Sequence, residues 1–509
     1  VTSVDDAQAP QDLRLVPAAL TSWAVTAAGI LWHVGGVVGA LVVMVGATAA
    51  AGWWSSGRHR FGAAVLAVAV VGAGFGIAVG LRVNELRHHP IADRYGSLAT
   101  VVVTPTESPR SLGGGRLMFR GALRMLDDHE MSGRVVVFTS VLGYAELTAG
   151  RPARFRARIE RPTRRDLTVA VLSATGEPVL GEATAIQRAA QHARSGFAAA
   201  ARTALPPDQA AMLPALVLGD TSALTGQTTA EFRAAGLTHL TAVSGANVTI
   251  VCGAVLFTAA VIGPRLAVAL AAMALLIFVI VVQPSASVLR AAVMGAITLL
   301  AVASHRRRHA VPALSASVIV LMIGAPELAV DVGFALSVTA TAALIVIAPA
   351  WSRRLVARGW PKPLADAVSV AVAAQLVTAP LVAGISGTFS VVSVAANLAV
   401  AAVIPPITVI GTAAAALGAG WPTGAQLLIR FTGPELWWLL RVAEWAAAVP
   451  GSTLPVPSGL LGVVTVAAGG VALVVLWRWR WVRLGVGAVA VCLLAWTVAG
   501  HGVGAVGPA

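Results

Sequence analysis

The chain has 509 residues, 57% of them hydrophobic and only 11% charged, with a mean hydropathy of +0.82, whereas soluble domains carry roughly a quarter charged residues. That balance excludes a soluble globular protein and describes a polytopic membrane protein. The formal net charge is +14 and Lys362 is the only lysine, so nearly every cation is a guanidinium suited to bidentate phosphate contacts.

Three hydrophobic segments come first, at about 15–33, 34–52 and 61–81, each near the roughly 20 residues that span a bilayer. The acidic start (Asp5, Asp6, Asp12) lacks the basic region with which a cleavable signal peptide opens. Arg58, His59 and Arg60 lie between the second and third segments, so the positive-inside rule puts that loop and the N-terminus in the cytoplasm. Residues after 81 then emerge outside.

Residues 82 to about 205 are the long polar stretch, with 82–182 expected as a small β domain outside the cytoplasm. Runs rich in β-branched residues at Ala99–Thr104, Val135–Val141 and Leu167–Leu172 are separated by glycine turns, the pattern of a small barrel. Arg151, Arg154, Arg156, Arg158, Arg161, Arg164 and Arg165 crowd one part of it. Arg154, Arg156 and Arg158 alternate with Phe155, Ala157 and Ile159, so a strand puts the cations on one face and the apolar residues on the other. Such a ladder attracts a phosphate backbone; anionic lipid headgroups or plain solvation are the competing readings. Aromatics for base stacking are few (Phe119, Phe138, Tyr144, Phe155), which argues against sequence-specific recognition.

Residues 183–235 are an amphipathic surface helix over 184–204, with Arg188, His192, Arg194 and Arg202 on its polar side, and a connector. From 237 further spans follow at about 237–262, 265–283, 286–304, 310–325, 329–350, 364–384, 389–404, 406–420, 458–476 and 484–500. With them the basic loops at Arg265, Arg306 to Arg308, Arg353 to Lys362, and Arg478 to Arg483 all fall inside. Pro405-Pro406 makes one re-entrant helix an alternative to two spans near 389–420. Residues 426–447 read as an interfacial helix.

Several chemistries are excluded. Lys362 lies between Pro361 and Pro363, so no Gly-Lys-Ser/Thr phosphate loop exists. Cys252 and Cys492 imply neither a disulfide framework nor a zinc site. His129-Glu130 lacks a second histidine at Gly133, and Ala242 rules out a nucleophile elbow around Ser244. No catalytic residue, metal or other cofactor is expected. The polar residues inside the apolar runs are instead the candidates, because polar groups in hydrocarbon need partners or a wet cavity. They are His239, Ser244, Asn247, Arg290, Asp331, Gln375 and Asn397. Arg290 and Asp331, of opposite sign and similar expected depth, are the expected pair. The competing reading is that these groups only join helices, through hydrogen bonds or a charge lock.

The stretch Gly236 to Val251 (Gly-Leu-Thr-His-Leu-Thr-Ala-Val-Ser-Gly-Ala-Asn-Val-Thr-Ile-Val) resembles the signature of the ComEC competence family, with Asn247 where histidine is common and Ala246 where leucine is common. Leu213 to Asp220, Pro284 to Met294, Asp331 to Ser337 and, more loosely, Ala374 to Pro406 follow the family's order. The resemblance implies an OB-like barrel after the third helix and a channel domain at 236–420, with 421–509 as an interfacial helix and C-terminal spans. The expected fold is a mostly α polytopic membrane protein of about 11–13 transmembrane helices. The expected function is an inner-membrane channel component importing single-stranded DNA, with membrane lipid, a DNA receptor, a cytosolic DNA motor or a second copy of the chain as partners. A secondary transporter for a small anionic solute and a non-transporting scaffold are the alternatives. The His-x-His-x-Asp-His cluster of the family's nuclease-like domain does not occur, so nuclease activity is not carried over.

Overall fold

The computed structural model describes residues 12–476 and 479, apart from 33–34, 57–58, 108, 142, 145–146, 242, 244, 260, 284 and 305–309. The expected span at 484–500, Ser244, and the basic residues Arg58, Arg306 to Arg308, Arg478, Arg480 and Arg483 lie outside them. The chain forms two compact units. One comprises Val1–Gly196 and Ser244–Val338, the other Phe197–Val243 and Thr339–Ala509.

The first unit opens with α1 (Val16–Trp32), α2 (Gly35–Ser55) and α3 (His59–Arg87). Glycine lets α2 and α3 approach closely: a Cβ at Gly39 would lie 3.2 Å from the Cα of Gly76, the small-residue packing used where lipid gives helices no hydrophobic reason to associate. Next come the strands β1 (Leu98–Pro105), β2 (Arg110–Gly113), β3 (Arg116–Leu126), β4 (His129–Ser140), β5 (Ala153–Glu160) and β6 (Thr168–Leu180). They pair in the order β1-β5-β6-β4-β3-β2, and β1 also pairs with β3, which closes a five-stranded barrel with β2 as an attached hairpin arm. All pairings are antiparallel except β4 with β6. A five-strand circuit in which the third and fifth strands run parallel is the OB arrangement expected from sequence. A register shift between Val102 and Val103 lets β1 serve both β5 and β3, because a bulge bends the strand.

The barrel's core follows from alternation. Val101, Val103, Phe119, Leu123, Val137, Phe155, Ile159 and Leu172 point inward and are at most 3% exposed, each contributing about 1.5–3 kcal/mol if large and fully buried. Tyr144 joins them, edge-on to Phe155 at 5.7 Å between ring centres, and burial pushes its hydroxyl up to a pKa of about 12.

The helices that follow are α4 (Ala185–Ala204), α5 (Pro207–Leu218), α6 (Gly226–Ala234), α7 (Gly245–Ala259), α8 (Pro264–Val282), α9 (Ala286–Ala303), α10 (Ala310–Gly324), α11 (Val332–Val356) and α12 (Lys362–Ser386). Then come β7 (Thr388–Ser390), α13 (Ser393–Val400), α14 (Ile404–Leu417), α15 (Pro422–Phe431), α16 (Gly433–Ala448), β8 (Thr453–Pro455) and α17 (Leu460–Leu476).

Among the described residues, five helical stretches are long and apolar enough to cross a membrane: Gly62–Arg94, Pro264–Val282, Ala286–Ala303, Val332–Val356 and Lys362–Ser386. The pair α13 and α14 is bent by 54° and adds a sixth if it counts as one broken span. The bend falls before Pro405-Pro406, which fit the first turn of a helix but disfavour helical geometry just before them. Apolar helices of 10–17 residues occupy Val16–Trp32, Gly39–Trp53, Asn247–Ala259, Ala310–Gly324 and Leu460–Leu473. Their surfaces carry exposed apolar side chains such as Phe257 at 84% and Leu460 at 79%, ruinous in water and ordinary against lipid.

Three expectations about the helical part change. The expected span 237–262 is not one helix: a 3-10 turn at Thr238–Thr241 precedes α7, which starts at Gly245. The connector before it is two helices, and α5 is buried along most of its length, from Ala210 to Leu218. The expected interfacial helix at 426–447 is α15 and α16, divided at Thr432, and α16 buries Leu436, Leu439, Val442 and Ala443.

Candidate nucleic-acid interface and intramembrane polar sites

On β5 the burial alternates strictly from Ala153 to Glu160. Arg154, Arg156 and Arg158 stand outside the barrel, beside Val102, Thr100 and Leu98 of β1 and Val179, Thr175 and Ser173 of β6. Among the described residues, Asp128 is the carboxylate within ion-pair distance of the ladder, 3.8 Å from Arg154 and itself 90% exposed, so the three guanidinia are nearly uncompensated.

Three of the other four arginines of the cluster have local work. The Arg151 Nε donates to the Gly181 carbonyl at 2.9 Å, and the Arg165 Nη1 donates to the Leu31 carbonyl at 3.2 Å. Arg161 lies over the Tyr95 ring at 5.9 Å. Arg164 is exposed in the loop after β5. Seven arginines thus reduce to a three-rung ladder with one exposed neighbour. Of the aromatics weighed for stacking, Phe119, Tyr144 and Phe155 are core. Phe138 alone of them lies on an outward register position, paired with Met118 on the β3–β4 wall.

Replacing Arg154, Arg156 and Arg158 together by alanine is expected to leave folding unchanged, because exposed arginines away from packed partners contribute within about 0.5 kcal/mol each. It is expected to weaken binding of single-stranded DNA and to flatten the salt dependence by about 2, near 0.7 per lost phosphate contact. Fluorescence anisotropy across a salt series reads both.

Inside the membrane part of the first unit, three of the motif stretches meet at one guanidinium. Arg290 on α9 is 5% exposed. Its Nε donates to the Ser337 hydroxyl at 2.7 Å and its Nη1 reaches the Met294 sulfur at 3.1 Å. A Cβ at Gly245, the first residue of α7, would lie 3.2 Å from its Nη2, so this glycine of the signature gives the guanidinium its room. No carboxylate among the described residues lies within ion-pair distance of it.

The expected Arg290–Asp331 pair is therefore not formed. Asp331 sits just outside α11, where its Oδ1 accepts the Phe334 N–H at 2.8 Å, and its Oδ2 lies 3.8 Å from Arg120 of the barrel. A carboxylate that caps a helix start satisfies otherwise orphaned amides, and that local geometry turns it away from α9. Beside it, Glu327 pairs with Arg134 of β4, and the Trp23 indole donates to the Ala329 carbonyl at 2.9 Å. Asn247 is buried on α7. Thr249 donates back to the Gly245 carbonyl at 3.0 Å.

Arg194, expected on the polar face of the amphipathic helix, is buried instead and donates to the Val281 and Val282 carbonyls at 3.0 and 3.3 Å. The last carbonyls of α8 lack helical partners, and a cation there also meets the negative end of the helix dipole.

In the second unit, His239 lies exposed on the 3-10 turn. Gln375, Ser393 and Asn397 form one polar cluster. The Ser393 hydroxyl donates to the Gln375 Oε1 at 2.9 Å, and the Asn397 Nδ2 donates to the Ser393 carbonyl at 2.8 Å. Gly236, with φ +71°, packs its backbone against Ser393: a Cβ there would stand 2.5 Å from the Ser393 Cβ. Of the residues singled out from sequence, Arg290 gathers Gly245 and Ser337, and Gln375 gathers Asn397 through Ser393. Ser337 closes the stretch Asp331 to Ser337, and Ser393 lies within Ala374 to Pro406, so their place in those motifs was the available signal.

The class these features define is a helical membrane protein bearing an OB-type barrel with an arginine ladder on its outer wall. The chain belongs to the competence protein family: a family model described as competence protein matches residues 216–481, just over half of the chain. That membership gives it a role in competence DNA uptake. Both intramembrane polar clusters fall inside the matched region, and the barrel precedes it. No curated protein and no solved structure matches the chain.

Proposed function

We infer that the chain conducts single-stranded DNA across the cytoplasmic membrane, as a multi-pass channel component without catalytic activity of its own. The observation that carries this is Arg290. A guanidinium in a membrane helix, with no described carboxylate in ion-pair range, is costly unless it serves an anion or a wet path. Here three stretches that resemble the competence family supply its surroundings, through Gly245, its own helix and Ser337. A strand must pass without being held, so one cation accompanied in its own unit by a neutral polar residue such as Asn247 suits conduction better than a ring of charge. Within the second unit, Gln375, Asn397 and the exposed His239 are the candidate polar lining.

The barrel receives the strand on the outer side of the membrane. In α3, His59 and Arg60 begin the helix and the barrel follows its other end. The positive-inside rule assigns the former, with Arg58, to the cytoplasm. A membrane DNA receptor would deliver the strand and a cytosolic motor would pull it, since the chain holds no nucleotide-binding lysine loop of its own. A second copy of the chain is a further candidate partner.

The test is import of labelled DNA into cells lacking the gene, with and without complementation. Nuclease-protected label in the cytoplasm is expected only with the gene present. Unchanged import after deletion would sink the reading and bring forward the transporter of a small anionic solute.

A further inference from the structure

The barrel has two arginine-bearing walls, and they are in different states. The β5 wall is open. The opposite wall, formed by β3 and β4, carries Arg120 and Arg134 on outward positions beside Phe138 and Met118. OB barrels take oligonucleotides on the wall formed by their second and third strands and on the adjoining loops. In this barrel those strands are β3 and β4, and the loop between the first two barrel strands carries Glu107. That wall is not empty. Arg134 is paired with Glu327, and Arg120 lies 3.8 Å from Asp331 and 4.0 Å from Glu107. Glu107 also takes Arg110 at 3.0 Å.

We propose that the β3–β4 wall is a second binding surface for the phosphates of single-stranded nucleic acid, occupied in the free protein by the carboxylates of Glu327 and Asp331. This rests on the reading that the barrel receives DNA.

The chemistry fits. A carboxylate and a phosphate offer a guanidinium the same pair of acceptor oxygens, so Glu327 and Asp331 stand where two phosphates would bind. Arg120 and Arg134 remain 35% and 42% exposed in their pairs, and exposed pairs are individually weak. A strand already held on the β5 ladder presents its next phosphates at high effective concentration and competes for these arginines, which it gains in full only when the carboxylates are lost. Phe138 then offers that wall a ring on which a base stacks. Glu327 and Asp331 lie in the turn that joins α10 to α11, and α9, which carries Arg290, packs against α10. Release of the turn by an incoming strand therefore acts on the helices beside the intramembrane cation.

The experiment uses the full chain in nanodiscs and a short fluorescent oligothymidylate, titrated across a salt series. The first variant is Glu327→Gln with Asp331→Asn. Asparagine keeps the cap on Phe334, so α11 retains its start, and a thermal melt confirms folding. Binding is expected to tighten about tenfold at low salt, with the slope of log affinity against log salt steeper by about 1.4, two phosphates at about 0.7 each. Adding Arg120→Ala and Arg134→Ala is expected to return both values to wild type.

Wild-type affinity and slope in the first variant, with binding still weakened by loss of Arg154, Arg156 and Arg158, would overturn the second surface and leave the ladder standing. A gain that survives loss of Arg120 and Arg134 would also overturn it, since it would reflect net charge alone. Absence of binding by any form, wild type included, would remove the DNA reading of the barrel together with this inference.

Discussion

Arg290→Met is expected to lower DNA import by about one to two orders of magnitude, while leaving the protein as stable as wild type or more so. The two halves of that expectation have different causes. A hydrogen bond from a charged donor contributes about 1.5–3 kcal/mol, so on the proposed reading that Arg290 meets the strand, removing this intramembrane guanidinium lowers passage roughly 10- to 100-fold. Stability runs the other way. A buried charge without a compensating carboxylate carries a desolvation penalty of several kcal/mol, and replacing such groups by apolar ones of similar volume is often neutral or stabilising. Methionine fills the space beside Met294 and Gly245 without a charge. Arg290→Lys keeps the charge but loses the planar fork that reaches Ser337 and Met294 together, so import intermediate between wild type and Arg290→Met is expected. Uptake normalised to membrane protein level, with a melting curve for each variant, checks both halves. Import at the wild-type rate in Arg290→Met would take Arg290 out of the path. Failure of that variant to accumulate would make the guanidinium a structural group.

The same residue shows what a sequence reading can and cannot reach. Arg290 stood out because a cation in an apolar run is rare, and Arg154, Arg156 and Arg158 stood out because period-two alternation fixes which side chains leave a barrel. Both signals are local: Arg290 is buried on α9, and the three arginines stand outside the barrel on β5. A small barrel was also legible, since its strands alternate and glycine turns punctuate them, while its OB form was what the family resemblance implied. Partners were not. Asp331 matched Arg290 in sign and expected depth, yet its position just before Val332 makes it a helix cap, and a cap's geometry is decided by the first turn and not by the nearest opposite charge. The Glu327–Arg134 pair joins residues 193 apart in sequence, beyond anything periodicity records. Hydropathy merged residues 237–262 into one span because it counts apolar residues and is blind to Gly236, whose positive φ precedes the 3-10 turn at Thr238–Thr241.

Gly236→Ala is expected to be among the most damaging single-methyl changes in the chain. Two costs add. At φ +71° an L side chain sits in the left-handed region, which costs about 1 kcal/mol relative to glycine. The new Cβ would also stand 2.5 Å from the Ser393 Cβ and 3.2 Å from its Cα, and overpacking of this kind costs about 1–3 kcal/mol. The sum, about 2–4 kcal/mol, falls on Ser393, whose hydroxyl holds Gln375 and whose carbonyl holds Asn397. A shift there disperses the polar cluster of the second unit, so import is expected to fall with stability. Second-site changes separate the contributions. Ser393→Ala removes the hydroxyl but leaves the crowding of one Cβ by the other, so it is expected to restore little. Ser393→Gly removes both atoms and is expected to restore more of the melting temperature, though not all, because the left-handed strain at residue 236 persists and its new methyl still presses on the backbone of residue 393. If Ser393→Ala rescues as well as Ser393→Gly does, the hydroxyl alone is the obstacle and the close approach of the two backbones is not what fixes glycine at 236.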